Sequence, residues 1–221
     1  MWSDLPHPWQ ICFKEGWQAF LEGSLPIGAA VLNMEGGLIS KGHSQIHAGE
    51  EHVTSLKGTP LAHAELNALI AMFEHAVDPR KMILYTLLEP CPLCLGAIYM
   101  AGVRTVWFAA KDDYAGSANL LGRTEYLSRK PVRVQQYKDE ELELVVTAMH
   151  SAALLMEMPA KAGQVLDVQR RSDPQAVGFG RYLMEEKWLQ RMLDKKEEPK
   201  AVYENILFLF KEKFLKVERP R

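Results

Sequence analysis

The stretch MILYTLL, residues 82–88, has no charged side chain and lies between Lys81 and Glu89. A run this short and this apolar predicts a strand buried on both faces, which needs a layer of helices on each side. The surrounding chain supplies those layers. Residues 8–23 carry Ile11, Cys12, Phe20 and Leu21 at helical spacings and close on Gly23, which predicts a helix. PIGAAVLN (26–33), the turn MEGG and LISKGHS (38–44) predict a two-stranded hairpin. Residues 43–60 read as a long loop, with His43, His47, Gly49 and His52, and loops of that length are often functional. A helix over 62–77, a helix opening just after Pro90, a strand over 105–110, a weaker strand over 132–137 and a long amphipathic helix over 139–158 follow. The order α-β-β-α-β-α-β, then β-α, indicates a three-layer α/β/α core.

Beyond Pro159 the segment AKAGQVLDVQRRSDPQAVGFG has few large apolar residues and breaks helical periodicity. RYLMEEKWLQRMLDKK (181–196) and AVYENILFLFKEKFLKV (201–217) then predict two helices. The expected organisation is therefore a domain over 1–159 and a helical C-terminal extension over 160–221. In the last helix Val202, Ile206, Phe210 and Phe214 form an apolar stripe that must bury against something. Pro199 marks a turn, so the pair is expected to fold back as a hairpin, either at a substrate entrance or at a subunit interface.

No apolar run approaches the roughly 20 residues that cross a bilayer, and MWSDLPHPWQ lacks the charged and apolar parts of a signal peptide. These features predict a cytoplasmic protein. Only three cysteines occur, which argues against a disulfide framework and makes a C-x-x-C pair a metal or redox candidate. The net charge of -2 gives no global attraction to nucleic acid; SRKPVRV (128–134) is the only compact basic candidate for such contact.

Cys91 and Cys94, at i and i+3, share one face in the first turn of a helix, where unpaired N–H groups favour thiolate. His63 starts another helix. Two cysteines and a histidine suit zinc with an open fourth position, and an open-site zinc lowers the pKa of its water to about 7. Glu65, two residues from His63, is better placed to take that water's proton than to be a ligand. Three readings remain open on residues alone: this one, a redox pair, and a closed structural site with Cys12 or Glu65 as fourth ligand. Cys12 otherwise reads as a buried thiol, Trp2, Trp9 and Trp17 as packing, Asp112 and Asp113 as caps of the turn before Gly116, and the loop histidines as solvated or substrate-adjacent.

HAE (63–65) with PCPLC (90–94) resembles the signature of the zinc-dependent cytidine deaminase-like family, H-x-E…P-C-x-x-C. LPIGAAVL, AHAELNAL, LYTLLEPCPLCLGAI, VRTVWFAAKD and AGSANLL extend the resemblance over about 8–158, toward the branch with tRNA adenosine, guanine and cytosine deaminases. The resemblance implies an α/β fold, a three-layer α/β/α sandwich with a mixed central sheet. It implies zinc on His63, Cys91 and Cys94 and Glu65 as proton shuttle. The Ala64 N–H would face the base, Ile27 would wall the pocket, and Asp112 would contact the rest of the substrate. Where the family places an Asn after the second hairpin strand, this sequence has Ser44. The implied activity is hydrolytic deamination of a nucleobase or nucleoside, with release of ammonia. Two alternatives are a tRNA adenosine deaminase forming inosine in an anticodon loop, and a catalytically silent zinc module for assembly. Family likeness also implies a homodimer, for which Gly96, Ala97 and Ala101 suit close helix packing.

Overall fold

The computed structural model describes residues 1–47 and 56–215. Gly49 and His52 of the long loop, and the last residues of the final predicted helix, lie outside these. A five-stranded sheet has the order β2-β1-β3-β4-β5, with β1 (Gly28–Asn33), β2 (Leu38–His43), β3 (Met82–Leu88), β4 (Thr105–Ala110) and β5 (Arg133–Gln136). Strand β1 runs antiparallel to both β2 and β3, whereas β3, β4 and β5 are mutually parallel, so the sheet is mixed.

Successive residues of β1 feed opposite cores, which is what burial on both faces requires. Ala29 and Val31 join Leu84 of β3 and Val106 of β4 beneath α2 (Ala64–Met72) and α3 (Pro92–Ala101). Ala30 and Leu32 join Leu87 and Ala109 on the other face, against α1 (His7–Leu21) and α5 (Glu140–Glu157). Trp2, Trp9 and Trp17 are buried in this second core, and Cys12 beside them is fully enclosed.

Two close approaches fix the helices. A Cβ on Gly42 of β2 would lie 2.5 Å from the backbone N of Ala68 and 2.7 Å from the Ala64 carbonyl oxygen. Only glycine lets α2 lie this near β2. Ser40 Oγ then donates to the Ala68 carbonyl at 2.7 Å, and Asn67 Nδ2 donates to the His43 carbonyl at 2.8 Å. The N-terminal turn of α2 is thereby pinned to the sheet.

The helix predicted over 62–77 ends at Met72, because residues 73–76 are exposed and a further turn would bury nothing. A short helix, α4 (Glu125–Ser128), capped by the Thr124 side chain, had no sequence signal. The segment after Pro159 is helical, contrary to the sequence reading: α6 (Pro159–Gln169) and α7 (Pro174–Glu185) occupy it. Helix α6 buries only Ala162, Leu166 and Gln169, a stripe too narrow and too small to stand out. In α7 Gly180 is a packing residue, since a Cβ there would meet the Ala148 carbonyl oxygen of α5 at 2.6 Å.

The helix predicted over 181–196 is split. Lys187 adopts a left-handed conformation, φ 56°, between α7 and α8 (Trp188–Asp194). The last predicted helix is α9 (Pro199–Leu209), followed by a π-helical turn, Phe210–Phe214. Its stripe enters the second core, with Phe210 and Phe214 against Phe179 of α7, while Tyr203 packs edge-on against Trp2 and Phe13 and Trp17 Nε1 donates to the Glu197 carbonyl at 2.8 Å. The expected hairpin at a substrate entrance is thus replaced by cover for the α1 side of the core.

Among the described residues, no helix is long and apolar enough to cross a membrane.

Candidate active site

Strand β3 runs straight into the Pro90 turn, so Cys91 caps α3 and Cys94 sits one turn later. His63 holds the same capping position on α2, and the first turn of that helix carries Glu65. Two helix N-termini therefore converge at the C-terminal ends of β3 and β4, where open α/β sheets present their ligand sites.

The three ligand candidates meet. Cys91 Sγ is 3.6 Å from Cys94 Sγ and 3.6 Å from His63 Nδ1, and Cys94 Sγ is 3.3 Å from His63 Nδ1. A tetrahedral zinc with bonds of about 2.3 Å to sulfur and 2.0 Å to nitrogen has donor–donor edges of about 3.5–3.8 Å. The set fits such an ion. Among the described residues, His63, Cys91 and Cys94 are the group whose ligand atoms all lie within 4.8 Å of one another, and Glu65 is outside it. Cys12 is also remote, with its Sγ directed at the Tyr85 carbonyl.

The two thiols are driven in opposite directions by their shared surroundings. The hydrogen bond shared with Cys94, together with His63 and against the cost of burial, pulls Cys91 down to about 4. Cys94 is pushed far up by that bond to Cys91, by burial and by the charge of Glu65. Without a cation one sulfur keeps its proton; a divalent ion relieves the conflict and accommodates two thiolates.

Glu65 is 4% exposed. Thr86 Oγ1 donates to its Oε1 at 2.9 Å, and its Oε2 accepts from Cys94 Sγ at 3.3 Å. Burial raises its pKa, with its own backbone N–H, Cys94 and Thr86 opposing. The carboxyl is held rigidly at the edge of the ligand set, by a hydroxyl on the central strand.

A cavity of about 400 Å³ opens over these groups. Its apolar walls are Leu25, Ile27, Leu88, Leu154, Met158 and Val165. Ser44 and Ala64 border a side recess of about 30 Å³ beside His63 and Glu65. Asp112 lines the main cavity, yet its Oδ1 accepts the Tyr114 and Ala115 N–H groups at 2.9 Å, so it also caps its turn. Asp113 is turned away, paired with Lys111 at 2.8 Å and bonded to Ser172.

Of the loop histidines, His47 is exposed, whereas His43 is neither solvated nor beside the cavity. Its ring is clamped between Glu15 (2.9 Å) and Glu22 (3.2 Å), binding β2 to α1.

The sequence reading missed Glu89, Tyr114, His150, Lys161 and Gln164, which supply the other polar lining. Glu89 stood out only as a charge ending the apolar run of β3. Its Oε1 accepts the Ala118 N–H at 3.1 Å, and burial raises its pKa. His150 lies on α5 between the buried face of that helix and the cavity, where Thr147 and Ser151 are further polar residues. Lys161 and Gln164 lie on α6, which the sequence did not reveal.

Residues 7–110 match the family described as the cytidine and deoxycytidylate deaminase zinc-binding region. The guanine deaminase of Bacillus subtilis is 35% identical over 106 residues, covering 47% of this chain and 61% of that protein. The cytosine deaminase of Candida albicans is 25% identical over 137 residues, 60% of this chain and 79% of that one. The tRNA-specific adenosine deaminase of B. subtilis is 32% identical over 112 residues, 49% of this chain and 63% of that one. The chain thus spans less than two thirds of the length of both B. subtilis relatives.

Proposed function

We propose, from the match of residues 7–110 to the cytidine and deoxycytidylate deaminase zinc-binding region, that the protein is a zinc-dependent hydrolytic deaminase. Its substrate in this reading is a free nucleobase or nucleoside. The observation that carries the reading is Glu65: a buried carboxyl, fixed by Thr86, adjoining the His63–Cys91–Cys94 set without belonging to it, on the floor of a cavity. A closed structural site needs four protein ligands and has no use for such a group.

Zinc held by His63, Cys91 and Cys94 would supply Lewis-acid activation of water near neutral pH. The protein's own residues do the rest. Glu65 accepts one proton of the attacking water and delivers it to a ring nitrogen. It then takes the remaining hydroxyl proton of the tetrahedral adduct and delivers it to the amino group, so that the C–N bond breaks, the ring carbonyl forms and ammonia leaves. Thr86 keeps Oε1 in place, which leaves Oε2 to face the reacting atoms. Ile27, Leu88 and Leu154 hold the base and exclude bulk water. Ala64 and Ser44 bound the recess beside Glu65, and the Asp112 turn borders the part of the substrate farther from the metal.

Catalysis belongs in this reading to residues 1–159, with 160–221 as a helical extension that works in the cytosol with it. The narrow, apolar-walled cavity, flanked by Lys161, Gln164 and Val165 of α6, favours a small substrate over a folded RNA. Assembly as a homodimer would use the α2–α3 face, where Phe73 and Met100 are 59% and 65% exposed; a monomer by light scattering at micromolar concentration refutes that part.

The deciding experiment is ammonia release by zinc-loaded protein from free bases, nucleosides, nucleotides and an anticodon stem-loop. At least one base or nucleoside should be turned over, and Glu65→Gln should retain zinc while losing about 10²-fold or more. Inosine formation in the stem-loop alone, or no ammonia from any substrate, overturns the proposal.

A further inference from the structure

The mechanism above leaves one polar ring in the cavity unused. His150 projects from α5 among Leu154, Met158 and Val165, packed round by protein yet keeping part of its surface on the cavity. Among the described residues its imidazole has no hydrogen-bond partner, and the charge of Asp112 is the sole electrostatic influence on it besides burial. Burial depresses its pKa, with Asp112 opposing, so the ring is neutral. Of the other polar groups that line the cavity, Glu89 is engaged by Ala118, Asp112 by the Tyr114 and Ala115 N–H groups and Glu65 by Thr86, whereas Tyr114, Lys161 and Gln164 are exposed to solvent.

The half-buried ring meets no protein partner among the described residues and lines the cavity, where a ligand can take its hydrogen bonds. We infer that His150 is a substrate-recognition residue, whose imidazole hydrogen-bonds the edge of a neutral base lying between it and Glu65. A neutral imidazole offers one donor and one acceptor, which matches the paired N–H and carbonyl or ring-nitrogen groups of a nucleobase edge. Two carboxylates, Glu89 and Asp112, line the cavity against one exposed ammonium, Lys161, so the balance opposes an anion and the site selects bases and nucleosides over their monophosphates. This inference takes its ligand class from the deaminase reading but concerns binding, and the two are separable by experiment.

The probes are guanine, cytosine, adenosine, cytidine, GMP and CMP, titrated calorimetrically into full-length, zinc-loaded Glu65→Gln protein. The tightest neutral probe should weaken at least about tenfold when His150→Phe is added, the scale of one lost hydrogen bond. His150→Gln, which restores a donor and an acceptor, should recover part of the loss. With ¹⁵N-labelled histidine, the His150 ring signals should move at saturation by that probe, which a purely structural residue would not require. Affinity within threefold of the parent in His150→Phe, unmoved ring signals, tighter binding of GMP or CMP than of the neutral probes, or no binding of any probe overturns the inference. Binding through His150 without ammonia release by the wild-type protein would instead sink the deaminase reading and leave this one standing. Unchanged kcat/KM in otherwise wild-type His150→Phe would do the reverse.

Discussion

Truncation after Pro159 tests how the C-terminal extension contributes. Helices α7, α8 and α9 bury Phe179, Leu183, Leu189, Met192, Val202, Ile206, Leu207 and Leu209 in the same cluster as Trp2, Phe13, Trp17, Ala148 and Ala152. At roughly 1.5 kcal/mol for each large side chain removed from water, that set comes to about 12 kcal/mol. The ordering entropy of the deleted residues is saved, but α1 and α5 keep their own ordering cost and lose their cover. Edge contacts of Tyr203 with Trp2 at 5.8 Å and Phe13 at 5.3 Å go as well, each worth about 0.5–1.5 kcal/mol. A whole domain is stable by only about 5–15 kcal/mol. Residues 1–159 should therefore lack a cooperative melt and near-ultraviolet dichroism, even with zinc supplied. The milder Phe179→Ala, in full-length protein, should cost about 3–5 kcal/mol in urea unfolding while leaving the metal ligands untouched. A 1–159 fragment that melts cooperatively within a few degrees of the full chain would refute the argument.

Three further outcomes follow from particular contacts. Hydrogen bonds to Glu15 and Glu22 outweigh burial and raise the His43 pKa, so its contribution is full below about 6.5 and is lost as pH rises through the raised folded value. Hydrogen bonds to His43, with Lys41 at Glu15 and Gln18 at Glu22, outweigh burial and lower both carboxyls, so theirs is present above about 4.5 and lost as pH falls through the lowered values. His43→Ala should then cost about 1.5–3 kcal/mol near pH 6 and less at pH 8.5; a cost independent of pH in urea titrations would contradict the assignment. Zinc at a thousandfold its Kd should stabilise the metal-free protein by about 4 kcal/mol, and Cys91→Ser should abolish the effect in thermal melts; an equal zinc shift in that variant would remove Cys91 from the ligand set. Gly42→Ala should cost about 1–3 kcal/mol by levering α2 off β2, and weaken zinc affinity with it, while Gly96→Ala, with nothing within 4 Å of its Cβ, should leave the stability of the monomer alone; equal costs would show that the α2 approach is not tight.

The parts legible in the sequence are those set by local chemistry. The strand over 82–88 was readable because both its faces are buried, and Cys91, Cys94 and His63 because metal ligation restricts residue type and spacing. Glu65 was readable because its place beside His63 has a chemical reason. The parts that were not legible depend on contacts between distant segments. Helix α6 gave no signal because its buried face is Ala162, Leu166 and Gln169. Helix α7 gave none either, because Gly180 is fitted to the backbone of α5 at Ala148, a contact that no local pattern reveals. His43 sat among loop-like residues, and only the docking of α1 on β2 reveals it as the centre of an ion cluster. His150 did not stand out beside Thr147 and Ser151 until the cavity gave that face something to line.

These misses share one consequence for how the substrate is chosen. The apolar stripe of α9 pointed to a helix that closes the entrance, but α9 is spent on α1 and the N-terminal tryptophan. The wall of the cavity is made instead by α5 and the unforeseen α6, through His150, Leu154, Met158, Lys161, Gln164 and Val165. Helix α5 is held by α7, whose Gly180 lies on its backbone, and α9 packs on α5 in turn. The extension thus acts on the site at one remove, by fixing the helix that carries His150. Substitutions in α9 should change activity only as far as they change the folded fraction, whereas substitutions on the cavity face of α5 and α6 should change which ligand binds. Stability and selectivity are divided between opposite faces of the same helical layer.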